Sequence, residues 1–109
     1  MRILAASLLL LLFISGCNTT KKPSADVSVS LSKMFDNYWE DRMKLYPVEA
    51  TSNGDNRYND QYPNAVTIAF RDQLKSFYQR YQDSISTYNR DELNDNDRIS
   101  YDIFKREMQ

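Results

Sequence analysis

The chain has 109 residues, and its 14 Lys and Arg against 15 Asp and Glu give a formal net charge of −1, so its length suits one small domain. It contains no histidine and one cysteine, which excludes a Cys/His zinc cage and a Ser-His or Cys-His nucleophile built from these residues. The charge balance also lacks the excess of basic residues typical of nucleic-acid-binding proteins. We expect no nucleic-acid partner, no metal ligand and no cofactor.

The N-terminal segment has the pattern of a secretory signal peptide. Arg2 supplies a positive start, residues 3–14 are almost wholly apolar, and Ser15 and Gly16 are small. The apolar run of about a dozen residues is shorter than the ~20 that a helix needs to cross the hydrocarbon core of a bilayer. We therefore predict a cleaved targeting segment over residues 1–16 and not a membrane-spanning helix.

The sequence Ile14-Ser15-Gly16-Cys17 gives this signal peptide its type, because it resembles the lipobox of bacterial lipoproteins. The resemblance implies cleavage between Gly16 and Cys17, a diacylglyceryl group on the Cys17 sulfur, and often a fatty acyl chain such as palmitate on the new amino terminus. Two or three acyl chains hold a protein stably on a bilayer, whereas one chain binds reversibly. The alternative is a plain signal peptide in which Cys17 is incidental.

The residues after the cysteine indicate a tether and a location. Residues 17–30 are rich in Ser, Thr and Lys and lack a helical apolar stripe, so we predict a lipidated cysteine followed by a flexible tether. Residue 18 is Asn18 and not the Asp that commonly retains lipoproteins in the inner membrane of two-membrane bacteria. The predicted location is the outer membrane, facing the periplasm or the cell surface, with the bilayer as a partner through the lipid on Cys17.

The pattern of residues 31–109 predicts an all-α fold of about three amphipathic helices. We expect these helices to be an incomplete part of a larger helical fold. The first helix should begin at Leu31 with Ser30 as its N-cap. It should end near Leu45, because Pro47 disfavours the α conformation in the residue before it and has no N–H. Its apolar stripe comprises Leu31, Met34, Phe35, Tyr38, Trp39, Arg42 and Leu45 or Tyr46.

Residues 47–64 predict a long loop. Gly54, in an Asn-Gly-Asp turn, can take a positive φ without a Cβ clash. A loop of this length indicates a role of its own or a partner. Aromatic faces stack on sugar rings, so Tyr58 and Tyr62 are candidate platforms for a carbohydrate, although loop tyrosines often only fix a loop in place.

Two further helices follow the loop. The second should start at an Asn64 cap and bury the stripe Val66, Phe70, Leu74, Phe77, Tyr78, Tyr81, Ile85 and Tyr88. The third should start at an Asn94 cap with Asp97 as reciprocal acceptor, and should bury Ile99, Ile103, Phe104 and Met108. We expect Tyr38, Tyr78, Tyr81 and Tyr88 to be core residues whose hydroxyls reach the surface.

Two groups of acidic residues are candidates for a calcium site or for acid–base catalysts. Residues 91–97 have some likeness to a calcium loop but lack its turn glycine and distal Glu, so helix capping explains them better. The acids Glu40, Asp41, Asp102 and Glu107 could be imagined as acid–base pairs, but without a pocket they are exposed helix charges. The sequence predicts no catalytic residue.

The order Tyr38-Trp39, then Pro47-x-x-Ala50-Thr51-x-x-Gly54-x-x-x-Tyr58, then Asp97-Arg98-x-x-x-Asp102 is similar to the N-terminal portion of the bacterial family called domain of unknown function 885. Members of that family are large, mostly helical and often lipid-anchored, and look like zinc metallopeptidases with an H-E-x-x-P-G-H motif far downstream. Two histidines one turn apart hold the zinc, and the glutamate activates its water. No residue here matches that motif, so the resemblance, over about residues 33–109, implies no catalytic or metal-binding residue.

Two functions follow as expectations. The first is a lipid-anchored cell-envelope protein whose helices are the N-terminal segment of a zinc-metallopeptidase-like family, without catalytic residues of its own and continuing into a longer chain. The second is a complete small lipoprotein that acts as a binding or interaction module for a protein or carbohydrate partner. Three short stripes barely suffice to bury a core of this size, so we expect apolar surface to remain exposed for further elements.

Overall fold

The computed structural model describes residues 24–109, which form an all-α fold, as the sequence predicts. Gly16 and Cys17, the predicted cleavage and lipidation residues, lie outside the described residues. The described part contains no strand, and none of its helices is long and apolar enough to cross a membrane. The helices are α1 Ala25–Leu45, α2 Pro47–Ser52, α3 Ile68–Ser86 and α4 Asp95–Glu107, with 3₁₀ turns at Asn56–Tyr58 and Arg90–Glu92.

The first helix begins earlier than its apolar pattern predicts. α1 starts at Ala25, so the prediction of a tether over residues 17–30 was wrong for its last residues, and Ser30 is not the N-cap. A contact with the start of α4 stabilises this first turn, because Asn94 Nδ2 donates to Ser28 Oγ at 3.2 Å. Val27, four residues before Leu31, also packs against the core and extends the apolar stripe by one turn.

The connection after α1 is more structured than the predicted loop. α1 ends at Leu45, as predicted, but Pro47 then begins α2. Proline is favoured at the first position of a helix, where its missing N–H would have no partner. Gly54 has the predicted positive φ, at 85°. The prediction of a loop over residues 47–64 was therefore wrong for α2 and correct for the turn that follows it.

The N-cap of α3 is Thr67 and not the predicted Asn64. Thr67 Oγ1 accepts a hydrogen bond from the Phe70 N–H at 3.2 Å, while Asn64 Oδ1 accepts one from the Val66 N–H at 3.3 Å. Asn64 thus closes a turn just before the helix, a role that its short side chain favours as much as capping. Val66 is exposed as a result, and the buried stripe begins at Phe70.

The N-cap of α4 is Asn94, as predicted. Its Oδ1 accepts the Asp97 N–H at 3.0 Å, and its Nδ2 donates to Asp97 Oδ2 at 2.6 Å. Asp95 in the same turn pairs with Arg98 at 3.2 Å. These acids therefore start a helix, which is the capping role that the sequence favoured for residues 91–97.

Three helices, α1, α3 and α4, form a bundle in which helices that are consecutive in the chain run antiparallel. The Tyr88 hydroxyl, just after α3, lies 3.0 Å from Ser30 Oγ near the start of α1, whereas the Phe77 ring stacks on Tyr38 further along, at 5.3 Å. α3 is therefore antiparallel to α1. α4 returns parallel to α1, and Phe104 packs edge-on against Tyr38 at 4.8 Å.

The core lies between these three helices and is rich in aromatic rings. Tyr81 is buried, and its hydroxyl donates to Asp41 at the surface at 2.8 Å. Tyr38, Tyr78 and Tyr88 pack against the core while partly exposed, which confirms the prediction for the stripe tyrosines. The buried residues of this core are Leu31, Met34, Leu45, Phe70, Phe77, Tyr81, Ile85, Leu93, Tyr101, Phe104 and Met108.

Candidate docking groove between α1 and α4

The main departure from the predicted core lies on α4. Ile99 and Ile103, predicted to be buried, are 60% and 56% exposed, while Tyr101, Phe104 and Met108 take the buried side. The two isoleucines lie one turn apart on the neighbouring face of the helix, and a helix cannot turn both faces toward one core. α4 therefore presents a second apolar stripe to solvent.

A groove runs along this stripe, between α4 and α1. Phe35 and Trp39 lie one turn apart on α1 and form its other wall. The groove has a volume of about 350 Å³. Trp39, predicted as part of the buried stripe of α1, is 44% exposed here. The lining residues are Phe35, Tyr38, Trp39, Ser100, Ile103, Phe104 and Glu107.

The floor of the groove belongs to the core. The Phe104 ring lies 5.0 Å from the Phe35 ring and 4.8 Å from the Tyr38 ring, both between ring centroids. Such tilted and edge-on contacts add to the free energy gained by burying the rings. The floor is therefore fixed by core packing, whereas Trp39 and Ile103 on the rim remain open to solvent.

The groove continues into a polar pocket of about 380 Å³ toward the end of α1. Tyr38, Trp39 and Glu107 line both parts, and Arg42 and Tyr78 line the polar part together with the buried Met108. One continuous surface thus combines an apolar half with a half that offers hydroxyl, guanidinium and carboxylate groups.

Arg42 is held at the centre of the polar half. Its Nε and Nη2 donate to the two carboxylate oxygens of Glu49 on α2 at 2.9 and 2.8 Å. Its Nη1 lies 3.4 Å from the hydroxyls of Tyr38 and Tyr78, and its guanidinium carbon lies 4.8 Å from the centre of the Tyr46 ring. The hydrogen bonds to Glu49 raise the pKa of Arg42 further above its ordinary value, so this pair is charged but internally neutral.

Two tyrosines beside Arg42, Tyr38 and Tyr46, stay protonated at neutral pH. Burial raises the pKa of Tyr38, against the opposing effect of Arg42. Burial and the hydrogen bond with Tyr78 raise the pKa of Tyr46 to about 12. A phenol with a raised pKa is a poor base and a poor nucleophile near neutrality. The cluster can donate and accept hydrogen bonds, but it does not have the properties of an acid–base catalytic centre.

Glu107 is the acidic side chain that lines both halves of the groove without an ion pair among the described residues. Among residues 24–109 it forms no ion pair and no hydrogen bond, although its charge contributes to the raised pKa of Tyr38. It lies where the apolar and polar halves meet. Because Arg42 is already neutralised by Glu49, Glu107 gives the groove a net negative charge.

The other acids proposed from the sequence all form ion pairs. Glu40 and Asp41 both line a groove between α1 and α3, whereas Asp102 does not. Glu40 pairs with Arg57 on the 3₁₀ turn after α2, at 2.9 Å. Asp41 contacts Arg80, Lys44 and the Tyr81 hydroxyl, and Asp102 pairs with Arg90 at 2.8 Å. Within the part of the chain that the structure describes, no group of three or more acidic or cysteine side chains could hold a metal ion.

A wider groove between α1 and α3, of about 620 Å³, has less to offer a ligand. Most of its charged lining is already paired, because Asp41 binds both Lys44 and Arg80 and Glu40 binds Arg57. Lys33 is the exception among the described residues that line it, and its lining includes no exposed apolar side chain. The Tyr88 hydroxyl at its end is bonded to Ser30. The groove between α1 and α4 is the better candidate because it combines exposed apolar side chains with an unpaired charge.

The loop tyrosines do not form a joint platform. Tyr58 is half-buried, with the guanidinium carbon of Arg57 5.3 Å from its ring centre, so it fixes the loop in place. Tyr62 is 87% exposed, and no ring contact links it to Tyr58. A carbohydrate platform built from these two residues stays a prediction without geometric support.

Because several carboxylates are ion-paired in the folded state, the chain should lose stability at acid pH. Hydrogen bonds from Arg57 lower the pKa values of Glu40 and Asp55, and hydrogen bonds from Arg90 lower that of Asp102. Because the folded-state values lie below the unfolded ones of ~4, the stabilisation is present above about pH 4 and lost as pH falls through the folded-state values. We expect the free energy of unfolding in urea to stay flat at about pH 5–9, since no histidine is present to titrate, and to fall below that range.

Buried phenols set the alkaline limit of the same profile. Burial, together with the hydrogen bond to Asp41, raises the pKa of Tyr81 to about 12, and burial raises that of Tyr46 to about 12. These raised values contribute stability below the unfolded value of ~10, and the contribution is lost as pH rises toward the folded values. A marked change of stability at about pH 6–8 would contradict these assignments.

Comparisons of the chain with protein-family models, with curated proteins and with solved structures found no match.

Proposed function

We propose that this chain is a lipid-anchored protein of the bacterial cell envelope, held on the outer membrane by a diacylglyceryl group on Cys17. The support is the Ile14-Ser15-Gly16-Cys17 sequence behind an apolar run that is too short to span a bilayer. The bundle that begins at Ala25 is then carried by the short segment that follows the lipid. It faces the periplasm or the cell surface.

In this proposal the bundle is a helical segment like the N-terminal portion of the domain of unknown function 885 family, without catalytic residues of its own. The observation that carries it is that the residues of the resemblance shape the backbone. Pro47 starts α2, Ala50 is fully buried, and Gly54 supplies the positive φ of the turn. Thr51 closes this stretch, because its hydroxyl lies within hydrogen-bond distance of the Pro47 carbonyl and Asn59.

The second part of the resemblance is equally structural. Asp97 accepts from the Asn94 cap, and Asp102 forms a bidentate pair with Arg90. Arg98 donates to the carbonyls of Arg90 and Asp91, across the start of α4. These residues support a helical scaffold. Peptidase chemistry of the family type would need the H-E-x-x-P-G-H motif, which these 109 residues do not contain.

A second candidate function is a complete small lipoprotein that acts as an interaction module. The exposed groove between α1 and α4 favours it, because Trp39 and Ile103 form an apolar rim beside a polar one. Apolar surface rimmed by polar groups is typical of protein-docking sites.

Anchoring is tested by metabolic labelling with a fatty-acid analogue. Cells that make the full chain should incorporate the label into it, and the Cys17→Ser variant should lose essentially all of that label, because the thioether requires sulfur at this position. The matched control is Ser15→Ala, which keeps a small residue before the cleavage site. Equal labelling of the wild type and of Cys17→Ser would remove the lipoprotein proposal.

The family proposal is tested by reading the gene beyond the codon for Gln109. A reading frame that continues into an H-E-x-x-P-G-H motif supports a segment of the larger family. An immediate stop codon, together with a cooperatively unfolding chain, favours the small interaction module.

A further inference from the structure

We infer that the groove between α1 and α4 binds an amphipathic helix of a separate protein, one that carries two apolar residues a turn apart with a Lys or Arg beside them. This inference deepens the proposed role as an interaction module and does not depend on the family resemblance. It commits to a protein helix as the occupant because the shape, the apolar rim and the charge of the groove fit that occupant together.

The shape of the groove fits one further helix, packed against α1 and α4 on the side away from α3. α1 and α4 run parallel, and side chains spaced one turn apart form both walls of the groove between them. The apolar ridge of another helix packs into such a groove, with residues at i and i+4 as its anchors. On α4 the lining runs from Ser100 through Ile103 to Glu107, about two helical turns, so the groove is longer than a single side chain.

The net negative charge of the groove favours a helix that carries a basic residue. Glu107 lies at the meeting point of the two halves without a partner among the described residues, and Arg42 is neutralised by Glu49. Arg106, the neighbour of Glu107 in sequence, is not among the residues that line the groove. A basic residue on the docked helix would pair with Glu107, whereas an acidic one would bring two like charges together.

The charge of the helical bundle points in the same direction. Residues 24–109 carry eleven Lys and Arg against fifteen Asp and Glu. A second copy of the chain would meet this surface with the same negative excess, and an anionic bilayer would be repelled by it. A basic helix is attracted to it.

The test uses the full chain in phosphatidylcholine vesicles and the emission of Trp39, the chain's only tryptophan. The probes are two synthetic amphipathic helices without tryptophan that share one leucine stripe and carry either lysine or glutamate beside it. We expect the lysine helix to shift Trp39 emission to shorter wavelength with saturation, and the glutamate helix to bind at least about tenfold more weakly.

Three variants assign the effect to the groove. Ile103→Ser should weaken binding of the lysine helix by about tenfold or more, because it removes exposed apolar area without touching the core. Glu107→Gln should reduce the preference for lysine over glutamate. The matched control Ile68→Ser changes an isoleucine that is 70% exposed outside the groove, and it should bind as the wild type does.

Other outcomes would overturn the inference. Equal shifts with both helices would remove the charge selection, and no shift with either would remove the helix. A blue shift on vesicles without any probe would assign the groove to lipid, and a shift that grows with protein concentration alone would assign it to a second copy. Anchoring is measured separately, by whether the chain partitions with the vesicles, so its failure is distinguishable from failure of helix docking.

Discussion

Phe77→Ala is expected to lower the free energy of unfolding by about 3–5 kcal/mol, the usual cost of removing a buried aromatic ring. Phe77 is 3% exposed, and its ring centre lies 5.3 Å from that of Tyr38, 5.1 Å from that of Tyr78 and 5.1 Å from that of Tyr81. The substitution therefore opens a cavity where α3 meets α1. Urea unfolding of the full chain, followed by far-UV circular dichroism, measures the loss.

The loss expected for Phe77→Ala is large compared with the total stability of a bundle of this length. Small domains are stable by only about 5–15 kcal/mol, so the Phe77→Ala substitution should remove a large part of the stability of the bundle. The control is Tyr62→Ala, which removes an aromatic ring that is 87% exposed and should change stability by less than about 0.5 kcal/mol. Similar losses for both variants would contradict the placement of the core between α1 and α3.

Arg42→Ala is expected to lower the free energy of unfolding by about 2 kcal/mol. The substitution leaves the Glu49 carboxylate without its two donors and removes the guanidinium from beside Tyr38 and Tyr78. Breaking a fully buried ion pair costs about 3–5 kcal/mol, but the Arg42 and Glu49 side chains are 26% and 34% exposed, so water offsets part of the loss.

Two further variants separate the geometry of Arg42 from its charge. Arg57→Ala removes another arginine, which pairs with both Glu40 and Asp55, but the Arg57 side chain is 55% exposed, so this variant should cost less than Arg42→Ala. Arg42→Lys keeps the positive charge without the planar fork and should fall between Arg42→Ala and the wild type. If Arg42→Ala destabilised the chain no more than Arg57→Ala, the role of Arg42 in joining α2 to α1 would be wrong.

Several features of the fold could be predicted from the sequence because their causes are local. The period of the apolar residues identifies α1, α3 and α4, and the Asn94 cap and the turn at Gly54 follow from the chemistry of single residues. The stripe tyrosines are in or against the core for the same reason.

Other features depend on partners that are distant in the sequence. The first turn of α1 contacts the start of α4 through Ser28 and Asn94, a polar contact that the apolar pattern does not show. Val27, four residues before Leu31, packs against the core and continues the stripe, but one apolar residue was not enough to predict the extra turn. Asn64 and Thr67 are both capable of capping, and only the folded geometry assigns the turn to one and the cap to the other.

The groove could not be predicted for a related reason. α4 carries two apolar stripes, and whether Phe104 or Ile103 faces the core depends on how the helix rotates against α1 and α3. The sequence did predict that apolar surface would remain exposed, but not where. The Arg42–Glu49 pair could have been predicted from the sequence. Arg42 lies within an apolar stripe and Glu49 follows seven residues later, which indicates a partly buried ion pair.

Anchoring and docking would reinforce each other. The proposed lipid on Cys17 would confine the bundle to one bilayer, and a partner held on the same membrane would meet it at a raised effective concentration. An affinity that is modest for free proteins then suffices for a stable complex. The proposed groove would thus serve partners in the same envelope better than proteins in free solution.

The most direct test of the account is mass spectrometry of the mature N-terminus from cells that make the full chain. The account predicts that the first residue is Cys17, that its sulfur carries a diacylglyceryl group, and that the protein fractionates with membranes. A mature protein that stays in the soluble fraction with a free Cys17 thiol would contradict it.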